Sequence, residues 1–308
     1  MTTNTAQTIK TDSSKKTGYL LTTAGLVFSF ATLVIIAFWS ATAVASENES
    51  RIVAIDGSLT EIIFALGDGD KMVGRDITTT YPPEALKLPS VGYMRTLSAE
   101  GILSLKPKLV IATKDAKPRS VLDRLKEAGI RVELIDNKFT LEGVKEKIRQ
   151  VAKVLNKVPE GKVLIQKMQN SVDKAKKIAQ AKKSEHGMAS AIYVMGMRGG
   201  NMMVAGKNSR ANKMLDLALI DNPAARDFKG YKPLTSEAAI QYNPQFIITA
   251  MHGVKSAGGK RAILDTPAIK MTEAGNKEQL VVMGNGFLTF GPRLGLAIED
   301  LVAKVYAR

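Results

Sequence analysis

Residues 97–112 read LSAEGILSLKPKLVIA, and residues 234–249 read LTSEAAIQYNPQFIIT. The two stretches align without gaps at an offset of 137 positions, so that a leucine, a hydroxyl residue, a glutamate, a proline and an apolar run coincide. In each copy the hydroxyl residue predicts a helix N-cap, and the glutamate falls in the first helical turn. The proline ends the helix, and the apolar run predicts a buried strand. This repeat predicts two lobes built on one plan, with chance similarity of two helix–strand units as the alternative.

The sequence around the two copies alternates in the same way between helix and strand patterns. Ser58-Leu59-Thr60-Glu61 has the spacing of a capping box and leads into a first helix. We expect strands at 51–55, 71–73, 109–112, 131–135, 189–195 and 246–250, and helices at 62–66, 118–128, 141–155, 161–183, 207–219 and 294–307. This alternation predicts an α/β fold: two similar lobes with parallel sheets, joined by one long rigid helix, with the ligand cleft between the lobes.

The N-terminal 45 residues have the features of an export signal. Three lysines in the first 16 residues precede an uncharged run at 18–40, and Ala43-Val44-Ala45 forms a cleavage motif. The apolar run is longer than the ~7–15 residues of most signal peptides. An uncleaved anchor therefore stays open, since about 20 apolar residues span a bilayer. The domain prediction is a signal peptide at 1–45, an N-terminal lobe at 46–157, a linking helix at 158–185 and a C-terminal lobe at 186–308.

The composition excludes several classes of function. The 308 residues include no cysteine, which rules out disulfides, thiolate metal sites and a lipid-modified cysteine, and favours a soluble periplasmic protein of a Gram-negative cell. The formal net charge of +15 suits an anionic partner. Export and an aromatic content of 6% argue against nucleic acid. Only two histidines, no G-x-S-x-G motif and no complete phosphate-binding loop are present, so we expect no enzymatic activity, with a haem-handling or hydrolytic periplasmic enzyme as the alternative.

Gly92-Tyr93-Met94-Arg95, just before the first copy of the repeat, is a candidate ligand site. In an extended segment Tyr93 and Arg95 point the same way. A phenolate suits ferric iron and ligates haem in some proteins, and arginine forms forked hydrogen bonds to carboxylates such as haem propionates. A half-buried tyrosine with a satisfied hydroxyl is the alternative. His252 follows a predicted strand, at the end that faces the ligand in parallel α/β folds, with a plain loop histidine as the alternative.

From Arg51 to the C-terminus the chain resembles the periplasmic haemin-binding proteins of bacterial ABC importers. These belong to a wider group that also carries vitamin B12 and ferric siderophores. The resemblance covers nearly all of the chain after the signal and is carried by RIVAIDGSLTEIIFALG (51–67), YPPEALKLPSVGYMRTLSAEGILSLKPKLVIA (81–112), FKGYKPLTSEAAIQYNPQFIITA (228–250) and FGPR (290–293). The helix–strand stretches are shared by the wider group, whereas GYMR is the more specific pointer to haemin.

The resemblance implies roles for single residues at the ligand site. Tyr93 is expected to ligate the haem iron, with Arg95 as a partner of a propionate. Some members of the family have His-Gly-Gly in the second lobe, and its histidine ligates a second haem. This chain has Met197-Arg198-Gly199-Gly200 at the nearest match, so we expect one haem, with Arg198 near its carboxylates. Met197 is expected in the pocket wall, with plain core packing as the alternative.

The resemblance also implies partners. Glu100 and Glu237 occupy the positions at which the wider group docks onto arginines of the permease, and first-turn charge complementing the helix dipole is the plainer explanation of both. The expected function is to capture haem in the periplasm and deliver it to an inner-membrane ABC permease and its ATPase. An outer-membrane haem receptor system would act upstream. A ferric siderophore or corrinoid carrier of the same fold is the alternative.

Overall fold

The apolar runs of the sequence form the central strands of two sheets, one in each lobe. The computed structural model describes Met1 and residues 51–198 and 201–306, so the predicted signal and its cleavage motif lie outside the described residues. No helix in these ranges is long and apolar enough to cross a membrane.

The first sheet has four parallel strands in the order β2-β1-β3-β4. They are β1 Ile52–Ile55, β2 Met72–Arg75, β3 Leu109–Thr113 and β4 Arg131–Ile135. The helices of this lobe are α1 Gly57–Ala65, α2 Ala99–Leu103, α3 Arg119–Glu127 and α4 Leu141–Val154. Every residue of β1 and β3 is buried, which explains why these strands read as continuous apolar runs rather than as an alternating pattern.

The second sheet has five strands in the order β7-β6-β5-β8-β9. They are β5 Ala191–Arg198, β6 Asn201–Ala205, β7 Tyr231–Pro233, β8 Phe246–Ala250 and β9 Leu280–Met283. Strands β5, β8 and β9 are parallel, whereas β6 and β7 are antiparallel to their neighbours. The prediction of parallel sheets is confirmed, since β5, β8 and β9 form the parallel part of this sheet. A hairpin and a short edge strand ending in Pro233 add two antiparallel strands that the sequence did not predict. The helices that follow β6 are α6 Arg210–Leu217, α7 Ser236–Tyr242, α8 Met251–Ser256, α9 Lys260–Leu264, α10 Pro267–Lys270, α11 Glu273–Asn276 and α12 Leu294–Val305.

A 29-residue helix, α5 Val158–His186, joins the two lobes. Proline in its first turn fits the helix start, and Gly187 follows its end with φ 80°. The C-terminal helix α12 packs along α5 at close range, because Gly295 lies against Ser171 with no room for a Cβ between them. The connection between the lobes is thus one long helix that is supported along its side by α12.

The repeat seen in the sequence is a structural repeat. Ser98 and Thr235 are the N-caps of α2 and α7, and the helices are followed by the central strands β3 and β8. Lys106 and Asn243, again 137 positions apart, both adopt positive φ, 47° and 36°. Each lies just before the proline of its repeat unit, Pro107 or Pro244. One detail differs from expectation: the Thr235 side chain accepts a hydrogen bond from Ala238 N, whereas the Ser98 side chain makes no capping bond.

The capping-box prediction at Ser58 is wrong. Asp56 is the N-cap of α1, and both the backbone amide and the hydroxyl of Ser58 donate to Asp56 Oδ1, at 2.8 and 2.6 Å. The helix therefore begins at Gly57, five residues before the expected start. Glu61 does not return to the N-terminus of the helix, because its carboxylate is used in an ion pair with Arg293 of the other lobe.

Tyr193 carries a buried hydroxyl in the core of the second lobe, and its effect on stability can be tested. It is fully buried, its ring stacks on Phe287 at 6.1 Å between centroids, and its hydroxyl finds no hydrogen-bond partner within the described ranges. Burial raises the pKa of this hydroxyl. We expect Tyr193→Phe to increase the free energy of unfolding by about 1 kcal/mol, because it removes a desolvated polar group without leaving a partner behind. Urea unfolding measures the change.

Tyr306→Phe is the matched control for this prediction. The Tyr306 hydroxyl accepts a hydrogen bond from Ala189 N at 3.2 Å, so its removal should decrease the free energy of unfolding by about 1 kcal/mol. If both variants lost the same free energy of unfolding, the Tyr193 hydroxyl would have a hydrogen-bond partner in solution, and the prediction would be wrong.

Candidate functional site

The segment that carries Tyr93 lies at the carboxyl edge of the first sheet. The backbone carbonyl of Gly92 accepts a hydrogen bond from Ile77 N at 2.9 Å, and that of Met94 accepts one from Lys117 N at 2.8 Å. Ile77 and Lys117 belong to the loops that follow β2 and β3. Ligands of parallel α/β folds bind at this edge of the sheet, so the position of Tyr93 suits a binding residue.

The segment is a turn and not the extended stretch expected from the sequence. Thr96 N donates to the carbonyl of Tyr93 at 2.9 Å, and Met94 is buried in the core of the first lobe, which pulls the chain inward at that point. Tyr93 is 38% exposed and Arg95 is exposed as well. Within the part of the chain that the structure describes, neither the Tyr93 hydroxyl nor the Arg95 guanidinium is engaged by another side chain. Both groups are therefore open to a ligand.

The second lobe contributes candidates at the matching edge of its own sheet. Arg198 ends β5 and is exposed, and His252 lies in the first turn of α8, directly after β8, also exposed. Met197 is partly buried against the core of the second lobe, and its backbone amide donates to Ser256 Oγ at 3.1 Å. The structure thus brings the end of β5 and helix α8 together, with Arg198 and His252 at the carboxyl ends of adjacent strands.

A polar network at the carboxyl edge of the first sheet was not predicted. Its centre is Lys147 of α4, which is fully buried. The Lys147 ammonium donates to Ser58 Oγ at 2.8 Å, to Asn137 Oδ1 at 2.7 Å and to the backbone carbonyl of Phe290 at 3.3 Å. Burial lowers the pKa of Lys147 to about 8. The third acceptor belongs to the second lobe, so this lysine links the lobes.

Carboxylates surround this lysine at the ends of the strands. Asp56 follows β1 and Asp115 lies just after β3, and Asn137 Nδ2 donates to Asp115 Oδ2 at 2.9 Å. Asp76 follows β2, accepts the Thr78 hydroxyl at 2.8 Å, and has a pKa raised to about 6 by its burial. The sequence does contain a signal for this network, because a carboxylate follows each of β1, β2 and β3 within two residues. A search for apolar runs alone does not detect it.

A second charged link joins the lobes beside the first. Arg293 of the FGPR stretch donates from its terminal nitrogen to Glu61 Oε1 at 2.7 Å and from Nε to Glu61 Oε2 at 3.1 Å. Its guanidinium also lies 3.9 Å from the ring centroid of Tyr81. Burial raises the pKa of Glu61, and the Arg293 hydrogen bond partly offsets that effect. The pair is forked, which is the geometry in which arginine binds a carboxylate most strongly.

Two concavities of the described surface lie apart from Tyr93. A cavity of about 230 Å³ adjoins the Glu61–Arg293 pair and is smaller than the ~300–1,000 Å³ of typical ligand pockets. A groove of about 580 Å³ runs along α5, with Phe139, Leu217 and Lys177 in its wall. Neither is lined by any residue that the sequence assigned to ligand binding, so the candidate site consists of the exposed residues at the two carboxyl edges.

The two repeat glutamates occupy equivalent exposed positions. Glu100 is in the first turn of α2 and Glu237 in the first turn of α7. Hydrogen bonds from its own backbone amide and from Thr235 lower the pKa of Glu237. Each lobe thus presents one carboxylate from the same place in its repeat.

Comparison with known proteins agrees with this architecture. A family model described as a periplasmic binding protein matches residues 52–285. The structure resembles the periplasmic heme-binding protein RhuT of Roseiflexus sp. RS-1 in apo form, with 34% sequence identity and a TM-score of 0.80, over 84% of this chain and 98% of that one.

Two curated relatives have different descriptions. The uncharacterised ABC transporter substrate-binding lipoprotein YvrC of Bacillus subtilis is 28% identical over 84% of this chain and 81% of its own length. The vitamin B12-binding protein of Pectobacterium atrosepticum is 22% identical over 83% of this chain and 88% of its own. Because the family model covers well over half of the residues, and the two-lobe fold with its long linking helix agrees, the chain belongs to the periplasmic binding protein family.

Proposed function

We propose that the chain captures haem in the periplasm of a Gram-negative cell and delivers it to an inner-membrane ABC permease and its ATPase. Haem is the cargo, and the protein performs no covalent chemistry on it. The observation that carries the proposal is the unengaged Tyr93 hydroxyl next to exposed Arg95 at the carboxyl edge of the first lobe. The 34% identity to a heme-binding protein supports it. Export by residues 1–45 and haem supply by an outer-membrane receptor system are parts of the same proposal.

The chemistry of the exposed groups suits an iron porphyrin with two carboxylates. The Tyr93 phenolate supplies a hard anionic ligand to ferric iron. Arg95 on the first lobe and Arg198 on the second supply forked donors for the propionates, and guanidinium groups bind carboxylates in that geometry. His252 lies directly after β8, at the carboxyl edge of the second sheet, and is proposed as a further pocket residue. Met197 is proposed to contribute polarizable apolar surface.

A corrinoid carrier is the second candidate, and the curated vitamin B12-binding relative favours it. A ferric siderophore carrier of the same fold is related to it. Titration of the purified protein with haemin, cyanocobalamin and a ferric catecholate siderophore distinguishes the three. We expect a 1:1 haemin complex with a phenolate-to-iron charge-transfer band, because no histidine replaces Met197 or Arg198 to hold a second haem. Saturable binding of cyanocobalamin with no haemin complex would overturn the proposal in favour of the corrinoid carrier.

The repeat glutamates predict a docking phenotype. We expect Glu100→Ala with Glu237→Ala to leave haemin affinity unchanged but to slow haemin transport roughly tenfold, because paired surface charges set the rate and orientation of docking more than ligand contacts do. The measurement is haemin uptake by proteoliposomes that contain the permease and ATPase.

Glu84→Ala with Glu127→Ala is the matched control, since it removes two exposed carboxylates from other positions. Transport by the control variant should equal that of the wild type. A loss of haemin affinity in the Glu100 and Glu237 variant would contradict the docking role.

A further inference from the structure

The FGPR stretch, residues 290–293, is part of the resemblance to binding proteins but does not belong to the Tyr93 site. It follows β9 and precedes α12 in the second lobe. Phe290 and Arg293 reach the first lobe through a backbone carbonyl, an aromatic ring and a guanidinium. Their partners lie in α1, in α4 and in the loops that follow β2 and β4. This short stretch is therefore the place where the second lobe contacts the carboxyl edge of the first.

The first contact is made by a buried ammonium. Lys147 is anchored in the first lobe by two acceptors, Ser58 Oγ and Asn137 Oδ1, at 2.8 and 2.7 Å, and reaches the carbonyl of Phe290 at 3.3 Å. A lysine with no exposed surface has no water to replace a missing acceptor, so all three of its donors depend on this arrangement. If the Phe290 carbonyl moved away, one donor would be left desolvated and unpaired.

The second contact runs in the opposite direction, from the second lobe to the first. Arg293 makes two hydrogen bonds to Glu61, whose side chain is 3% exposed, and lies over the ring of Tyr81. Separation of the lobes would leave the Glu61 carboxylate buried without its counter-charge. Each lobe supplies one cation to the other. Opening either contact therefore raises the free energy, because it leaves a buried charged group without its partner.

Close packing limits how near the lobes come. A Cβ on Gly291 would lie 3.2 Å from Glu61 Oε2 and 3.6 Å from Ser58 Cβ. The ring of Phe290 packs edge-on against the ring of Phe139 in the first lobe, with 5.6 Å between centroids. The guanidinium of Arg210, also from the second lobe, lies 4.1 Å from the centroid of the same Phe139 ring. The charged contacts resist separation and the packed backbone resists closer approach, so together they define one spacing.

We propose that Lys147 and Arg293 are positioning residues that fix the spacing of the two lobes in the ligand-free protein, and with it the width of the gap between the two carboxyl edges. The consequence for haemin rests on the proposed function, but the spacing itself does not. The contacts adjoin the candidate site. Hydrogen bonds connect the Tyr93 segment to Lys147 through two short stretches of the first lobe. Ile77 N donates to Gly92 O, and the neighbouring Thr78 Oγ1 accepts from Gly57 N. Ser58, which follows Gly57, accepts from Lys147.

The absence of cysteine from the sequence allows a direct test. Spin labels attached through Ser120→Cys on α3 and Lys270→Cys on α10, both at exposed positions, report the distance between the lobes by double electron–electron resonance. We expect one narrow distance distribution in the ligand-free protein. Lys147→Met keeps most of the side-chain volume but removes the donors, and it should broaden or shift this distribution. Lys153→Met, the same change at an exposed position of the same helix, should not.

Glu61→Gln is a second variant, for the case in which Lys147→Met does not fold. It keeps the shape of the side chain but removes the charge that Arg293 binds, and it should also broaden the distribution. Haemin dissociation from either variant should be roughly tenfold faster than from the wild type. Unchanged distance distributions in both variants would overturn the proposal. Altered distances in a protein that binds no haemin would instead overturn the proposed function and leave the positioning role intact.

Discussion

Tyr93→Phe is expected to weaken haemin binding by about 100-fold or more and to abolish the phenolate-to-iron charge-transfer band. The substitution removes the iron ligand itself, and outer-shell partners of metal ligands alone are worth about 10–100-fold in affinity. Because the Tyr93 side chain is 38% exposed and makes no internal hydrogen bond in the described part of the chain, its free energy of unfolding should change by less than about 0.5 kcal/mol. Absorption spectra during haemin titration, together with urea unfolding, measure both effects.

Tyr242→Phe is the control for this result. It makes the same chemical change in α7, where the Tyr242 hydroxyl donates to Asp227 at 2.7 Å, and it should leave the haemin spectrum unchanged. A Tyr93→Phe variant with wild-type affinity and spectrum would remove Tyr93 from the site and leave the corrinoid carrier as the better candidate.

Arg293→Met is expected to destabilise the protein by about 2 kcal/mol at pH 7. Breaking a buried ion pair by removing one partner costs ~3–5 kcal/mol, and the lower value follows from the 36% exposure of the Arg293 side chain. The loss arises at Glu61, whose carboxylate is left in a buried position without a counter-charge. Urea unfolding at several pH values measures it.

The pH dependence follows from the pKa of Glu61. Burial already raises this pKa above its ordinary value, and loss of Arg293 removes the interaction that lowers it. A carboxyl group with a raised pKa in the folded state contributes stability below its unfolded pKa and loses that contribution as the pH rises through the folded value. The difference between wild type and Arg293→Met should therefore be largest near neutral pH and shrink towards pH 4.

The double variant Glu61→Gln with Arg293→Met separates the charge effect from packing. Replacing both partners removes the stranded carboxylate, so most of the loss should be recovered and the added pH dependence should disappear. An equal loss in the single and double variants, at all pH values, would show that Arg293 acts through packing on Tyr81 rather than through its charge.

Local sequence determined the secondary structure of the two repeat units because the signals there are short-range. A hydroxyl residue, a proline and an apolar run define helix, break and strand without help from distant residues. Both copies formed the expected helix and strand, although the Ser98 side chain makes no capping hydrogen bond. The helix of Ser58 began earlier than expected because Asp56 caps it, and Glu61 was drawn away by Arg293, 232 residues along the chain. The edge strand β7 was missed because its three residues contain no continuous apolar run to reveal it. Strand β6 has such a run, Met202–Ala205, and was not recognised as a strand.

The sequence by itself determined the α/β class, the repeat and the family resemblance, since these depend on residue types and their spacing along the chain. The choice of Tyr93, Arg95, Glu100 and Glu237 as candidates also came from the sequence, mainly through that resemblance. The tertiary structure alone decided that Tyr93 sits in an exposed turn at the carboxyl edge of the first sheet. It alone also revealed that Lys147 is buried between the lobes and that Arg293 reaches Glu61. These contacts join residues 143 and 232 positions apart, and no local pattern encodes which distant groups will share a desolvated space.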